Sequence, residues 1–94
     1  MKERRRERLA SFIREELPDF FKQEFDVLVN VLISILHIEI AESGARADVF
    51  VSVFPDDHKE QVAKALKMRE NKAAHFLRSR LRSKYAPAVR FHVR

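Results

Sequence analysis

From Ala47 to Phe54 the chain alternates without a break. Ala47, Val49, Val51 and Val53 fall on one side, and Asp48, Phe50, Ser52 and Phe54 on the other. A period of two residues belongs to an extended strand and is incompatible with a helix. One face of this strand is wholly aliphatic, so other parts of a 94-residue chain must cover it. A chain of this length makes one small domain, residues 1–94, with a thin stability margin.

The segments on either side supply that cover. Leu9, Phe12, Ile13, Leu17, Phe20, Phe21 and Phe25 recur at three- and four-residue steps, the apolar stripe of an amphipathic helix. Pro18 lies within the stripe, which keeps its phase beyond it, so one bent helix is expected rather than two. Ile33 and Ile35 share one face of a strand, while Ile38 and Ile40 fall on the opposite face unless a β-bulge near Leu36-His37 restores the register. The turn 41–45 holds Gly44, the only glycine, at the place where a positive φ costs least. After the alternating strand, Asp57 and Glu60 have the spacing of a capping box. Val62, Ala65 and Leu66, then Ala73, Phe76, Leu77 and Leu81, carry a helical period to about Lys84, interrupted at Glu70-Asn71-Lys72. That interruption suggests two helices or one bent helix. Tyr85-Ala86-Pro87 ends the period, and Val89, Phe91 and Val93 alternate with Arg90, His92 and Arg94 as a last strand. The order is α-β-β-α-α-β. A short turn makes the first two strands antiparallel, and a helical crossover makes the last two parallel. The expected fold class is therefore α+β, two-layered, with a three-stranded mixed sheet and three helices on one face.

Much chemistry is excluded. Without cysteine there is no disulfide or thiolate site, and one glycine cannot build a phosphate-cradling loop. The histidines at 37, 58, 75 and 92 lack metal-ligand spacing, and the serines sit in no nucleophile motif. No catalytic residue, cofactor, metal or small-molecule substrate is expected. The charged N-terminus fits neither a signal peptide nor a transit peptide, and no apolar run is long enough to span a bilayer. A soluble cytoplasmic protein, monomeric and away from membranes, is the expectation.

Charge is informative where catalytic motifs are missing. The formal net charge is +5, yet residues 58–94 carry eleven basic groups against Glu60 and Glu70. At about 100° per residue, Lys72, His75, Ser79 and Arg82 share one stripe of a helix, with Arg78 beside it and Ala73, Leu77 and Leu81 opposite. Such a row can meet successive phosphates of a nucleic acid; equally, it can be a solvated face that keeps the protein soluble. Arg90, His92 and Arg94 add donors along the last strand. Phe50 could stack a base or pack against its sheet neighbours. The candidate nucleic-acid-binding residues are Lys72, His75, Arg78, Arg82 and Arg90.

Three stretches in order resemble the ribosome-binding factor A family. The first is the opening helix, Arg8-Leu9-Ala10-Ser11-Phe12-Ile13-Arg14-Glu15-Glu16-Leu17. The second is the hairpin, Ile38-Glu39-Ile40 followed by Ala47-Asp48-Val49-Phe50-Val51-Ser52-Val53. The third is Tyr85-Ala86-Pro87-Ala88-Val89-Arg90-Phe91. The resemblance implies a type II KH-like fold, a non-enzymatic role in late maturation of the small ribosomal subunit and its ribosomal RNA, and a link to growth in the cold. Ala73-Ala74-His75 stands where the family bends its last helices with an Ala-x-Gly, so the change of direction is expected over Asn71–Ala74 with His75 keeping helical dihedrals. Two other readings stay open: a KH-like module for a different RNA, and a protein-interaction domain using the phenylalanine-rich first helix.

Overall fold

The structure, a computed structural model, describes residues 2–25, 30–81 and 86–94. Helix α1 spans Glu3–Glu24, strands β1 and β2 span Leu32–Ile40 and Arg46–Phe54, and a 3-10 turn covers Asp56–His58. Helices α2 (Lys59–Met68) and α3 (Glu70–Leu81) and strand β3 (Ala88–Val93) complete the chain. The sheet order is β1-β2-β3, with β1 antiparallel and β3 parallel to β2. This is the mixed sheet and the α+β order read from the sequence.

Helix α1 continues through Pro18, which is exposed on the side away from the core. The missing N–H costs the helix one backbone bond. Burial of Ile13 and Leu17 before the proline and Phe20 and Phe21 after it holds the two halves on one line of contact.

The bulge occurs as expected. Ile35 pairs with Val51 and His37 with Phe50, leaving Leu36 as the extra residue. The insertion returns Ile33, Ile35, Ile38 and Ile40 to the covered face opposite Val53, Val51, Val49 and Ala47. Gly44 takes φ 78° in the hairpin turn. The aliphatic face of β2 is sealed, with Val49 and Val51 at 0% exposure beneath Ile13, Leu66 and Leu77.

Two local expectations are corrected. The Asp57/Glu60 capping box does not form, and neither the 3-10 turn nor α2 has a side-chain cap. The chain enters α2 through the 3-10 turn instead. The His58 N–H donates to the Pro55 carbonyl at 3.2 Å and the Lys59 N–H to the Asp56 carbonyl, so backbone oxygens take the donors a cap would have served. The second correction concerns the helix junction. It is a single residue, Arg69 (φ −107°, ψ 10°), and not the stretch Asn71–Ala74, which lies inside α3. His75 is helical, as expected, and is not among the described residues with positive φ. Arg69 is fixed from three sides. Its Nε donates to Glu24 Oε1 at 3.2 Å, its NH1 donates to the Ala65 carbonyl at 3.0 Å, and its guanidinium stands over the Phe25 ring. A side chain so tethered to α1 and α2 places the break at its own position.

Candidate functional site

Helix α3 has two faces with different work. Ala73 and Leu77 are buried, while Lys72, His75, Arg78 and Ser79 are exposed on the far side. The helical phase therefore places these candidates as expected. The stripe does not act as a set of equal cations, however, because several of its charges are already engaged.

The first turn of α3 is tied down by carboxylates. Lys72 Nζ lies 3.0 Å from Glu24 Oε2, whose other oxygen receives Arg69. Glu70 is buried at 8% exposure, and it accepts the Phe91 backbone N–H through Oε2 at 2.8 Å. That N–H belongs to the side of β3 that β2 does not pair, since Ala88 and Arg94 donate to β2-side carbonyls. Arg90 NH1 reaches the other Glu70 oxygen at 3.5 Å. Glu70 thus closes the free edge of β3 and draws Arg90 toward the start of α3. A strand edge left bare would be a pairing hazard, and a buried N–H without an acceptor would be costly.

The middle of α3 is different. His75 and Arg78 are exposed and have no ion-pair partner among the described residues. The neighbouring Arg80 is engaged with α1: its NH1 lies 3.6 Å from Glu16 and 3.7 Å from Asp19, and its guanidinium stands over Phe76. Arg82 lies outside the described residues. Of the five candidates, the structure places Lys72, His75 and Arg78 on one exposed face. It brings Arg90 to the same helix through Glu70, and it leaves Lys72 and Arg90 partly neutralised. Arg78 and Arg80 also stand near the C-terminal end of α3, where positive charge is favoured by the helix dipole even without a ligand.

The open face of the sheet carries a second cluster. His37, Phe50 and His92 form a row of rings across all three strands, with centroids 5.7 Å and 4.7 Å apart. The Arg94 guanidinium stands 4.9 Å over Phe50. Phe50 therefore packs against its sheet neighbours, the cross-strand alternative to base stacking. His92 Nε2 donates to Asp48 Oδ1 at 2.8 Å, and Arg46 Nε donates to Oδ2 at 3.1 Å. The hydrogen bond with His92, aided by Arg46 and opposed by partial burial, holds the Asp48 carboxyl below the ordinary carboxylate range.

The partners of these cations were invisible in the sequence. Glu24 meets Lys72, and Glu70 meets Phe91, across separations that no periodicity reports. Glu70 gave one hint, as the sole acid in a strongly basic stretch between Glu60 and the C-terminus. Among the described residues no cluster of three or more ligating side chains could hold a metal, and no helix is long and apolar enough to cross a membrane.

Comparison with solved structures places this fold among known ones. The crystal structure of ribosome-binding factor A from Thermus thermophilus superposes with a TM-score of 0.65 at 19% identity, covering 94% of this chain and 90% of that one. The solution NMR structure of a Thermotoga maritima protein, described as a candidate ribosome-binding factor A, gives 0.64 at 18% identity, covering 93% and 80%. A homology model of the Thermus thermophilus factor, fitted into the cryo-EM map of its complex with the 30S subunit, gives 0.60 at 19% identity over 83% and 91%. Comparison with curated proteins gives no match. The sequence model described as Ribosome-binding factor A matches residues 5–93, nearly the whole length over which the strands, the bulge and the paired helices have been traced, and the chain belongs to that family.

Proposed function

We propose that this protein is a non-enzymatic ribosome-binding factor that acts in late maturation of the small ribosomal subunit, in the cytoplasm and as a monomer, with a role in growth in the cold. It grips small-subunit ribosomal RNA through the outer face of α3. His75 and Arg78 meet phosphates directly, and Arg82, outside the described residues, is the third cation assigned to that contact. Lys72 and Arg90 contribute at the edge, where RNA phosphates compete with Glu24 and Glu70. The observation that carries this reading is the exposed Arg78 and His75, unpaired among the described residues, on the face opposite the buried Ala73 and Leu77. Family membership supplies the ribosomal context, and the fitted complex supports the small subunit as the partner.

The protein-interaction alternative loses its main support. Phe20, Phe21 and Phe25 are buried in the core and Phe12 is half-buried, so α1 does not offer its phenylalanines to a partner. Sedimentation with ribosomal particles tests the proposal. The protein should travel with small subunits, and changing Arg78 and Arg82 together to alanine should weaken that association and shallow its dependence on salt. Retention of the double variant at every salt concentration would remove α3 from the interface. Preference for free single-stranded RNA over subunits would select a module for another RNA.

A further inference from the structure

The beginning of α1 carries a charge pattern that the fold does not need. Lys2, Arg4, Arg5, Arg6 and Arg8 stand against Glu3 and Glu7 alone. Cations in the first turns of a helix face the positive end of its dipole, so this placement works against the helix. Lys2 at the N-cap position adds no side-chain cap to compensate. Further along, α1 turns acidic, with Glu15, Glu16, Asp19 and Glu24, of which Glu16, Asp19 and Glu24 bind Arg80, Arg69 and Lys72. The acidic half is used within the fold, whereas most of the basic half is not.

Among the described residues, Arg6 is the cation of this group that the fold engages. It pairs with Glu3 and lies partly buried, lining a cavity with Ala10, Ile38 and Ile40 at the end of β1. Arg4, Arg5 and Arg8 are exposed and have no ion-pair or ring partner among the described residues. At helical spacing they fan over about a quarter of the circumference, away from Arg6. Arg4 and Arg8 line a surface cavity of about 460 Å³ that Ser11, Phe12 and the carboxylates of Glu7 and Glu15 also line, neither acid being ion-paired with these arginines among the described residues. Four of the five cations are arginines, whose planar fork matches phosphate oxygens in a way that lysine does not.

We propose that Arg4, Arg5 and Arg8 form a second phosphate-contact surface, separate from the α3 face, that grips the backbone of the same RNA. The inference rests on the RNA-binding reading given above. The position of the cluster favours a two-surface grip. Glu24 meets Lys72, Phe20 meets Phe76 and Glu16 meets Arg80, so α1 and α3 run antiparallel, and α3 leads toward the arginine-bearing half of α1. An anionic membrane is a poorer fit. A helix lying on a membrane needs an unpartnered apolar face, and the apolar stripe of α1 is buried in the core.

The test is a salt titration of binding to transcribed small-subunit ribosomal RNA, between about 50 and 200 mM salt. It uses the full chain, the triple variant R4Q/R5Q/R8Q and its charge-keeping counterpart R4K/R5K/R8K. Loss of three phosphate contacts should lower the slope of log affinity against log salt by about two units in the glutamine variant and leave it near the parent value in the lysine variant. The melting temperature of the glutamine variant should equal or exceed that of the parent, because charges opposed to the helix dipole are gone. An unchanged slope in the glutamine variant, with a parent that does bind in a salt-dependent way, overturns this inference alone. A parent with no salt-dependent binding overturns the RNA reading itself. Lower melting temperatures and lost binding in both triple variants would make the arginines part of the fold and also overturn it. So would unaltered RNA binding with loss of binding to phosphatidylserine vesicles.

Discussion

The first turn of α3 and its middle carry cations of two kinds. In the first turn, Lys72 answers to Glu24, and Arg90 of β3 answers to Glu70, whose other oxygen holds the Phe91 backbone. One turn further on, His75 and Arg78 face solvent without a carboxylate among the described residues. The same excess of positive charge thus divides into cations engaged within the fold and cations that stay exposed and unpaired among the described residues. A net charge read from the sequence counts both kinds together, and only the packing of α1 and β3 against α3 separates them.

The largest effect separates the inner face of α3 from the outer. Leu77 is buried beneath the sheet at 1% exposure, and Leu77→Ala should cost about 2–5 kcal/mol in urea unfolding. Arg78→Ala, one residue along, should cost no more than about 0.5 kcal/mol and should act on binding instead. Comparable losses from both would dissolve the distinction between the two faces.

Glu70 tests the closing role of the first turn. Glu70→Ala leaves the buried Phe91 N–H without an acceptor and frees Arg90, and it should cost about 1–3 kcal/mol. Amide exchange should rise at Phe91 before it rises in β2. Unchanged protection there would mean that the edge of β3 is held by something else.

Glu24 tests whether engaged cations can be released. Glu24→Gln removes the charge that holds Arg69 and Lys72, a partly exposed network expected to contribute about 1 kcal/mol or less. RNA affinity should rise a few-fold as Lys72 becomes available. A fall in affinity at unchanged stability would show that Glu24 orients Lys72 for its ligand instead of withholding it.

The smallest effect lies on the far side of the sheet. Asp48 is held below the ordinary carboxylate range chiefly by its hydrogen bond with His92, so its stabilising contribution is present above the unfolded carboxylate pKa and is lost as pH falls through the lower, folded value. In His92→Ala the Asp48 titration, followed by NMR, should move up toward the usual range. The stability difference from the parent should then shrink as the solution is acidified through that window.

What the sequence disclosed and what it hid follow the same division. The strict alternation of β2 is enforced by burial, so it left a clear pattern, and the one-residue slip between Ile35 and Ile38 identified the bulge at Leu36. The stripe through Pro18 kept its phase because Leu17 and Phe20 share one core. The exposed face of α3 was legible for the same reason, as the complement of Ala73 and Leu77. Features set by chain partners far apart in sequence were not. One local feature was missed as well: the Asp57/Glu60 spacing suggested a cap, but the 3-10 turn after Pro55 gives the His58 and Lys59 N–H groups backbone acceptors three residues back. The helix junction fell at Arg69 because Glu24 and Phe25, at the end of α1, hold that side chain, and nothing within 59–81 encodes those contacts.

In the proposed binding mode the unpaired middle of α3 meets RNA phosphates and its tethered first turn contributes less. The most direct measurement is the salt dependence of binding to purified small ribosomal subunits, compared between the parent and H75Q/R78Q. A slope reduced by about one unit, weaker binding at low salt and an unchanged melting temperature are expected of the double variant. A double variant that matches the parent in affinity and slope would contradict that binding mode, and would leave the exposed cations of α3 as a solubilising face.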